Sequence, residues 1–312
     1  MNTRYLKLLA IGSMILLSAG CSKKTEESGN VATGDKVTIQ NIGSDTMVNL
    51  AQAWSEEYAK IEPNVSVEVS GGGSGTGFAA LVNGTVDIVN ASREITTEEK
   101  EKATANAQGQ TPQEYIVGYD ALAVYVHKEN PLNEISIEQL AEIYGEGGAI
   151  EKWSQLGITN TECPNDEIIR ISRQSNSGTY IYFREHVVGQ TRDFKLGSTD
   201  LHGSKDVVEL IGKTPCAIGY SGMGYTTPDV KMLKISAKTG GVAIPAEVET
   251  TLNKTYPIAR PLYLYTHGVP NDATQKYINW ILSDAGQLVI EQIGYVPLPK
   301  TPIETPTAQE GK

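Results

Sequence analysis

The sequence predicts an α/β fold, and three observations carry that expectation. Strand-like alternating runs and helix-periodic runs take turns along the whole chain. Three times, a segment bounded by glycine and small hydroxyl residues lies between a strand pattern and a helix pattern, the arrangement by which open α/β sheets present ligand sites at strand ends. No internal repeat of fixed period is present.

The elements follow in order. Residues 36–41 (KVTIQN) alternate as a strand, and Gly43-Ser44-Asp45-Thr46 ends it. Met47, Leu50, Ala51, Trp54 and Tyr58 then recur at helical spacing and predict a helix over 47–61. Val65-Ser66-Val67-Glu68-Val69 is a second strand, followed by the loop GGGSGTG at 71–77 and a short helix from Phe78. Residues 88–90 predict a strand, 97–107 a helix and 121–127 a strand. Ser136-Ile137-Glu138-Gln139 before an apolar-periodic run starts a helix over 136–144. A strand over 167–172 leads into Arg173-Gln174-Ser175-Asn176-Ser177-Gly178-Thr179 and a helix over 179–188. Helices over 204–213 and 271–282 and a strand over 262–266 complete the series, before a Pro- and Thr-rich tail at 299–312 expected to fray.

The start of the chain reads as an address. Arg4 and Lys7 precede the apolar run 8–17, which is short for a membrane span, and Leu17-Ser18-Ala19-Gly20-Cys21 follows. Small residues leading into Cys21 form a lipobox, so 1–20 is expected to be a lipoprotein signal peptide and Cys21 the acylated residue. Residues 21–35 are polar and read as a flexible tether. The expected location is outside the cytoplasm, as a periplasmic or cell-surface lipoprotein held to the membrane by lipid alone. Cys163 and Cys216 remain, either as one disulfide or as two buried thiols.

The net charge of −11 argues against a nucleic-acid partner, which wants a basic face. It does not argue against a small anion, because distant surface charge is screened beyond about 8 Å while contacting donors are not. Such donors are what the loops supply. A helix start has amides without intrahelical acceptors and attracts oxyanions. In RxxxSGT at 173–179 an Arg fork and two hydroxyls join it.

Taken in order, these motifs resemble the PstS-like phosphate-binding proteins of bacterial phosphate ABC importers. The markers are GSDT at 43, GGGSGTG at 71, NGTVDIVNASR at 83–93, YDALAV at 119–124, RxxxSGT at 173 and AIGY at 217. The resemblance covers about Val37 to Pro297. It implies a two-lobed class II periplasmic-binding-protein fold, each lobe a mixed sheet flanked by helices. Lobe 1 is then 36–117 plus 259–298, lobe 2 is 118–258, and the two crossings form a hinge. It implies inorganic phosphate as ligand, permease subunits as partners and a monomer without cofactor or metal.

Carried over residue by residue, the resemblance places Ser44, Asp45, Thr46, Ser74, Gly75, Thr76 and Arg93 on one side of the anion. Arg173, Ser177, Gly178 and Thr179 close from the other lobe. Phosphate at neutral pH keeps a proton that sulfate lacks, so one carboxylate acceptor is expected to discriminate them. Many members of the family have an Asp where this chain has Arg93. Asp45 is therefore the first candidate and Asp120 the second. The alternatives are that Asp45 caps the next helix, Asp120 pairs with Arg260, and Arg93 serves a structural salt bridge. Tyr119, Tyr180, Tyr182, Tyr220 and Tyr225 are assigned no role.

A phosphatase would need a metal cluster or an activated nucleophile. His127, His186, His202 and His267 are widely spaced, Gly212-Lys213-Thr214 lacks the rest of a P-loop, and neither Ser74 nor Ser221 lies in a GxSxG elbow. A non-enzymatic binding protein is expected. Other tetrahedral oxyanions (sulfate, molybdate, tungstate) and a surface phosphate-sensing lipoprotein are the alternative readings.

Overall fold

The computed structural model describes residues 36–300. The expected signal peptide 1–20, the expected acylation site Cys21, the expected tether to residue 35 and the tail from residue 301 lie outside the described residues.

The first elements are β1 (Val37–Gly43), α1 (Val48–Ala59), β2 (Val65–Ser70), α2 (Ser74–Val82), β3 (Ile88–Ala91) and α3 (Thr97–Asn106). The middle of the chain holds β4 (Gln113–His127), β5 (Glu134–Ser136), α4 (Ile137–Tyr144), β6 (Ile169–Arg173) and α5 (Gly178–Phe183), which continues as a π turn over Arg184–Val188. Then come β7 (Thr199–Leu201), α6 (Ser204–Lys213), β8 (Ala217–Gly222), β9 (Val230–Met232) and β10 (Lys234–Ser236). Last are α7 (Val248–Leu252), β11 (Ala259–Thr266), α8 (Asp272–Ile281) and α9 (Asp284–Gln292).

The main sheet runs β2-β1-β3-β11-β4-β8-β6-β7, with β9 also on β4. Pairs β1–β2 and β1–β3 are parallel, β11 is antiparallel to both β3 and β4, and β8 and β9 are antiparallel to β4. Pairs β6–β8 and β6–β7 are parallel. Strand β4 is the joint. Its residues 113–121 pair with β11, and residues 122–126 pair with β8. The expected mixed sheets flanked by helices are present as two half-sheets that share one continuous strand.

Burial explains this layout. Along the second half of β4, Ala123 and Tyr125 join the core beneath α1, α6 and α8, while Leu122, Val124 and Val126 join the core with Tyr144, Phe183 and Tyr220. Alternation therefore buries both faces, as central strands require. A third core packs Phe78 and Leu81 of α2 on Val89, Tyr263 and Tyr265. Helix α4 starts as its SIEQ signature demands, with the Ser136 hydroxyl accepting from Gln139 N and the Gln139 side chain accepting from Ser136 N. Cys163 and Cys216 form a disulfide, with Cα atoms 5.1 Å apart.

Several elements differ from expectation. Strand β4 begins at Gln113 instead of 121, because its first half is partly exposed and bulges opposite Leu262/Tyr263, which blurs the alternation. Strand β8 reads AIGYSG and is buried at every position, so it shows no period-2 signal. Helix α9 follows α8 after Leu282 and Ser283, beyond the end of the helix expected over 271–282, and has no counterpart among the expected elements.

Candidate functional site

The GSDT loop leaves β1 at Gly43. A Cβ there would overlap the carbonyl oxygen of Asn90 on β3, so only glycine fits. Ser44 N donates to that same carbonyl at 2.9 Å, and Gly73 N donates to Gly43 O at 2.9 Å. From behind, Tyr225 OH donates to Asp45 O (2.6 Å) and Tyr295 OH to Thr46 O (2.7 Å). Backbone acceptors of the loop are thereby satisfied by protein, and its side chains are held in one place.

Four segments meet here. Ser44 Oγ donates to Ser92 Oγ at 2.8 Å, and Ser92 N donates to Ser74 Oγ at 3.1 Å. Thr46 Oγ1 lies 2.8 Å from Thr179 Oγ1, a contact between residues 133 apart in sequence. Gly75 N donates to Asn176 O (3.0 Å) and Asn176 Nδ2 to Gly72 O (2.8 Å), joining the glycine loop to the RxxxSGT loop. Ser177 caps α5 by accepting from Thr179 N at 3.2 Å. A Cβ on Gly178 would collide with Ser74 Oγ and Ser92 Oγ, which is how closely the start of α5 approaches the start of α2. Ser44, Thr46, Ser74, Ser92, Ser177 and Thr179 are all buried.

Two buried guanidinium groups flank these hydroxyls. Arg173 donates from Nη1 to Ser204 Oγ (2.7 Å), from Nε and Nη2 to His202 O (3.1 and 2.7 Å), and from Nη2 to Asp45 Oδ2 (3.3 Å). Burial pulls the Arg173 guanidinium down from the usual arginine range, and the Asp45 carboxylate opposes that pull. Asp45 Oδ1 accepts from Gly72 N (3.0 Å), and His202 Nε2 stands 3.7 Å from it. Arg260 donates from Nε and Nη2 to Asp120 Oδ2 (3.0 and 2.8 Å), from Nη1 to Ser92 O (3.1 Å) and from Nη2 to Thr179 Oγ1 (2.9 Å). Burial pushes the Asp120 carboxyl up, against the opposing pull of Arg260 and the Met223 amide.

Three expected contacts are engaged differently. Arg93 forms a bidentate pair with Glu99 (2.8 and 2.7 Å), donates to Glu94 O and lies over the Phe78 ring at 4.7 Å, the structural salt bridge set out as its alternative. Its nearest carboxylate is local, so the loop after β3 turns the fork toward α3. Thr76 is exposed, and its hydroxyl donates to Gly72 O at 2.6 Å. Asp120 gives one oxygen to Arg260 and the other to Met223 N (3.0 Å), which is its pairing alternative. Conversely, Ser92, Ser204 and Tyr225 belong to the cluster without an expected role, and Arg260, expected only as a partner of Asp120, also reaches Thr179 and Ser92. Ser92 was legible, since it follows β3 as Ser44 follows β1. Arg260 has no local signal.

Chemically, the cluster is rich in donors. Arginine and amide N–H groups only donate, and they occupy lone pairs on Ser74 and Thr179, leaving those hydroxyl protons for an acceptor. Among the described residues, no imidazole hydrogen-bonds to these hydroxyls, so no serine or threonine here is paired with a histidine base.

The profile of the PBP superfamily domain matches residues 29–285. The phosphate-binding protein PstS of Pseudomonas aeruginosa is 34% identical over 278 residues, covering 86% of this chain and 85% of that protein. Protein SphX of Synechococcus elongatus is 34% identical over 279 residues, covering 86% and 80%. A Clostridium perfringens structure, assigned as a phosphate ABC transporter substrate-binding protein and solved with bound phosphate, superposes with a TM-score of 0.74 at 26% identity, over 84% of this chain and all of that one. The mixed sheet with flanking helices is the class II fold of such neighbours. The chain belongs to the PBP superfamily, among the PstS-like binding proteins.

Proposed function

We propose that this protein captures inorganic phosphate in a cleft between two lobes (36–117 with 259–298, and 118–258) and delivers it to the permease of an ABC importer. One observation carries the reading: hydroxyls from four distant segments converge, with Thr46 and Thr179 2.8 Å apart and Arg173 held next to them by Asp45. The names of the Pseudomonas relative and the phosphate-bound Clostridium neighbour agree with it. Ser44, Thr46, Ser74, Ser177 and Thr179 donate through hydroxyls, Gly178 donates through its amide, and Arg173 adds charge, while Gly75 N stays on Asn176 O and holds the two loops together. A micromolar complex needs about −8 kcal/mol, which a ring of charge-assisted hydrogen bonds supplies after desolvation.

Asp45 is the acceptor for the phosphate proton. Its carboxylate keeps an edge toward solvent, at 11% side-chain exposure, whereas Asp120 is fully buried against Arg260. Closure takes place about the paired crossings in β4 and β11, and Cys21 anchors the protein outside the cytoplasm. No chemical step is catalysed. Calorimetric titration of ligand-stripped protein with phosphate, sulfate and molybdate tests the reading. Phosphate is expected to bind at least 100-fold more tightly than the other two, about 2.7 kcal/mol; a preference for sulfate or molybdate would refute it.

A further inference from the structure

We infer that Arg260 is a positioning residue of the anion site, acting through Thr179 and Ser92; the choice of phosphate as probe rests on the reading above. Arg260 stands directly opposite Asp120 where β11 and β4 pair. Its fork divides between segments. One edge holds Asp120 Oδ2 from Nε and Nη2, and the remaining donors reach Thr179 Oγ1 at 2.9 Å and Ser92 O at 3.1 Å. The Tyr182 ring, 5.5 Å from Cζ, covers the guanidinium, and Tyr182 OH donates to Ala259 O at 2.7 Å.

The consequence is a direction for protons. A guanidinium has no acceptor, so Thr179 Oγ1 spends a lone pair on Arg260 and turns its own hydrogen elsewhere. Here Thr46 Oγ1 lies 2.8 Å away; with an anion bound, an anion oxygen takes that hydrogen. Donation from a cation polarises the hydroxyl and makes it a stronger donor. By holding the Ser92 carbonyl, Arg260 also places the segment whose amide and hydroxyl meet Ser74 and Ser44. One side chain thus orients donors on both sides of the cluster without touching the ligand.

The test is a double-mutant cycle of Arg260→Lys and Thr179→Val, read by phosphate titration with thermal unfolding as a fold check. Lysine keeps a cation for Asp120 but lacks the fork that reaches Thr179 and Ser92. Each single variant is expected to bind phosphate about tenfold more weakly, as for loss of one charge-assisted hydrogen bond. The double variant should be weakened by less than about thirtyfold, because the two residues act as one unit. Parent-like binding by Arg260→Lys, or a fully multiplicative loss of about a hundredfold, would overturn the inference. Should Arg260→Lys fail to fold, the cycle is read on Arg260→Gln combined with Asp120→Asn, which removes both buried charges together. If the parent binds another oxyanion instead of phosphate, the phosphate reading fails, and the cycle is run with that anion under the same criteria.

Discussion

Asp45 sits between the two jobs that the site must perform, accepting a proton and holding Arg173. Replacing it by Asn swaps an oxygen for an N–H donor that a fully ionised oxyanion can use. Asp45→Asn is expected to raise sulfate affinity relative to phosphate by at least tenfold, about 1.4 kcal/mol, in competition calorimetry. Continued exclusion of sulfate would remove Asp45 as the acceptor. Arg173 has a second role besides charge. The side chain is fully buried among His202 O, Ser204 Oγ and Asp45. Its removal strands a carboxylate, so we expect at least tenfold weaker phosphate binding together with a loss of about 3 kcal/mol in denaturant unfolding. Legibility at this scale followed locality. Ser44, Thr46, Ser74, Ser177 and Thr179 could be read because each lies in a glycine-hydroxyl loop that opens a helix. The role of Arg260 could not be read so, because it depends on Thr179 and on Asp120, the latter 140 residues away.

Helices α2 and α5 approach each other start to start, and Gly178 is the residue that permits it. Gly178→Ala would drive a methyl group into Ser74 Oγ and Ser92 Oγ. We expect phosphate binding to fall at least tenfold while far-UV circular dichroism stays unchanged, since overpacking of this kind costs about 1–3 kcal/mol. Helix α3 shows a different dependence, on pH. Glu99 closes a capping box with Thr96 and takes both Arg93 Nη groups. Burial pushes its carboxyl up, but the Arg93 and Thr96 hydrogen bonds outweigh burial and hold it below the usual range. A depressed folded value means that the stabilisation is complete above the unfolded value of about 4.3 and is lost as pH falls through the folded one. Glu99→Gln is therefore expected to cost about 1 kcal/mol at pH 7, with the difference from the parent shrinking below about pH 4 in urea unfolding. Most helices could be read from periodicity and caps. Strand β8 could not, because full burial on both faces removes alternation, and β4 was cut short because a bulge and Gly118 interrupt its pattern.

The whole molecule is organised by β4 and β11, which pair with each other and carry the chain between the two half-sheets. Strand-helix alternation was enough for the α/β class, but the discontinuous arrangement came only from family resemblance. The reason is physical: β11 returns to lie between β3 and β4, and pairing across such a span leaves no local period. The same geometry reconciles the net charge of −11 with an anion ligand. Arg173 and Arg260 are buried beside Asp45 and Asp120, so near-site donors rather than overall charge govern binding. Segments around residues 44, 74, 92 and 177 are expected to enclose one tetrahedral oxyanion. Arsenate, a heavier stand-in for phosphate, makes that directly visible by anomalous diffraction from soaked crystals. One arsenic peak within about 4 Å of Thr46 Oγ1, Thr179 Oγ1 and an Arg173 nitrogen is the expected result, the spacing of oxygen-mediated hydrogen bonds. A saturated crystal whose arsenic lies elsewhere, or nowhere, would contradict it.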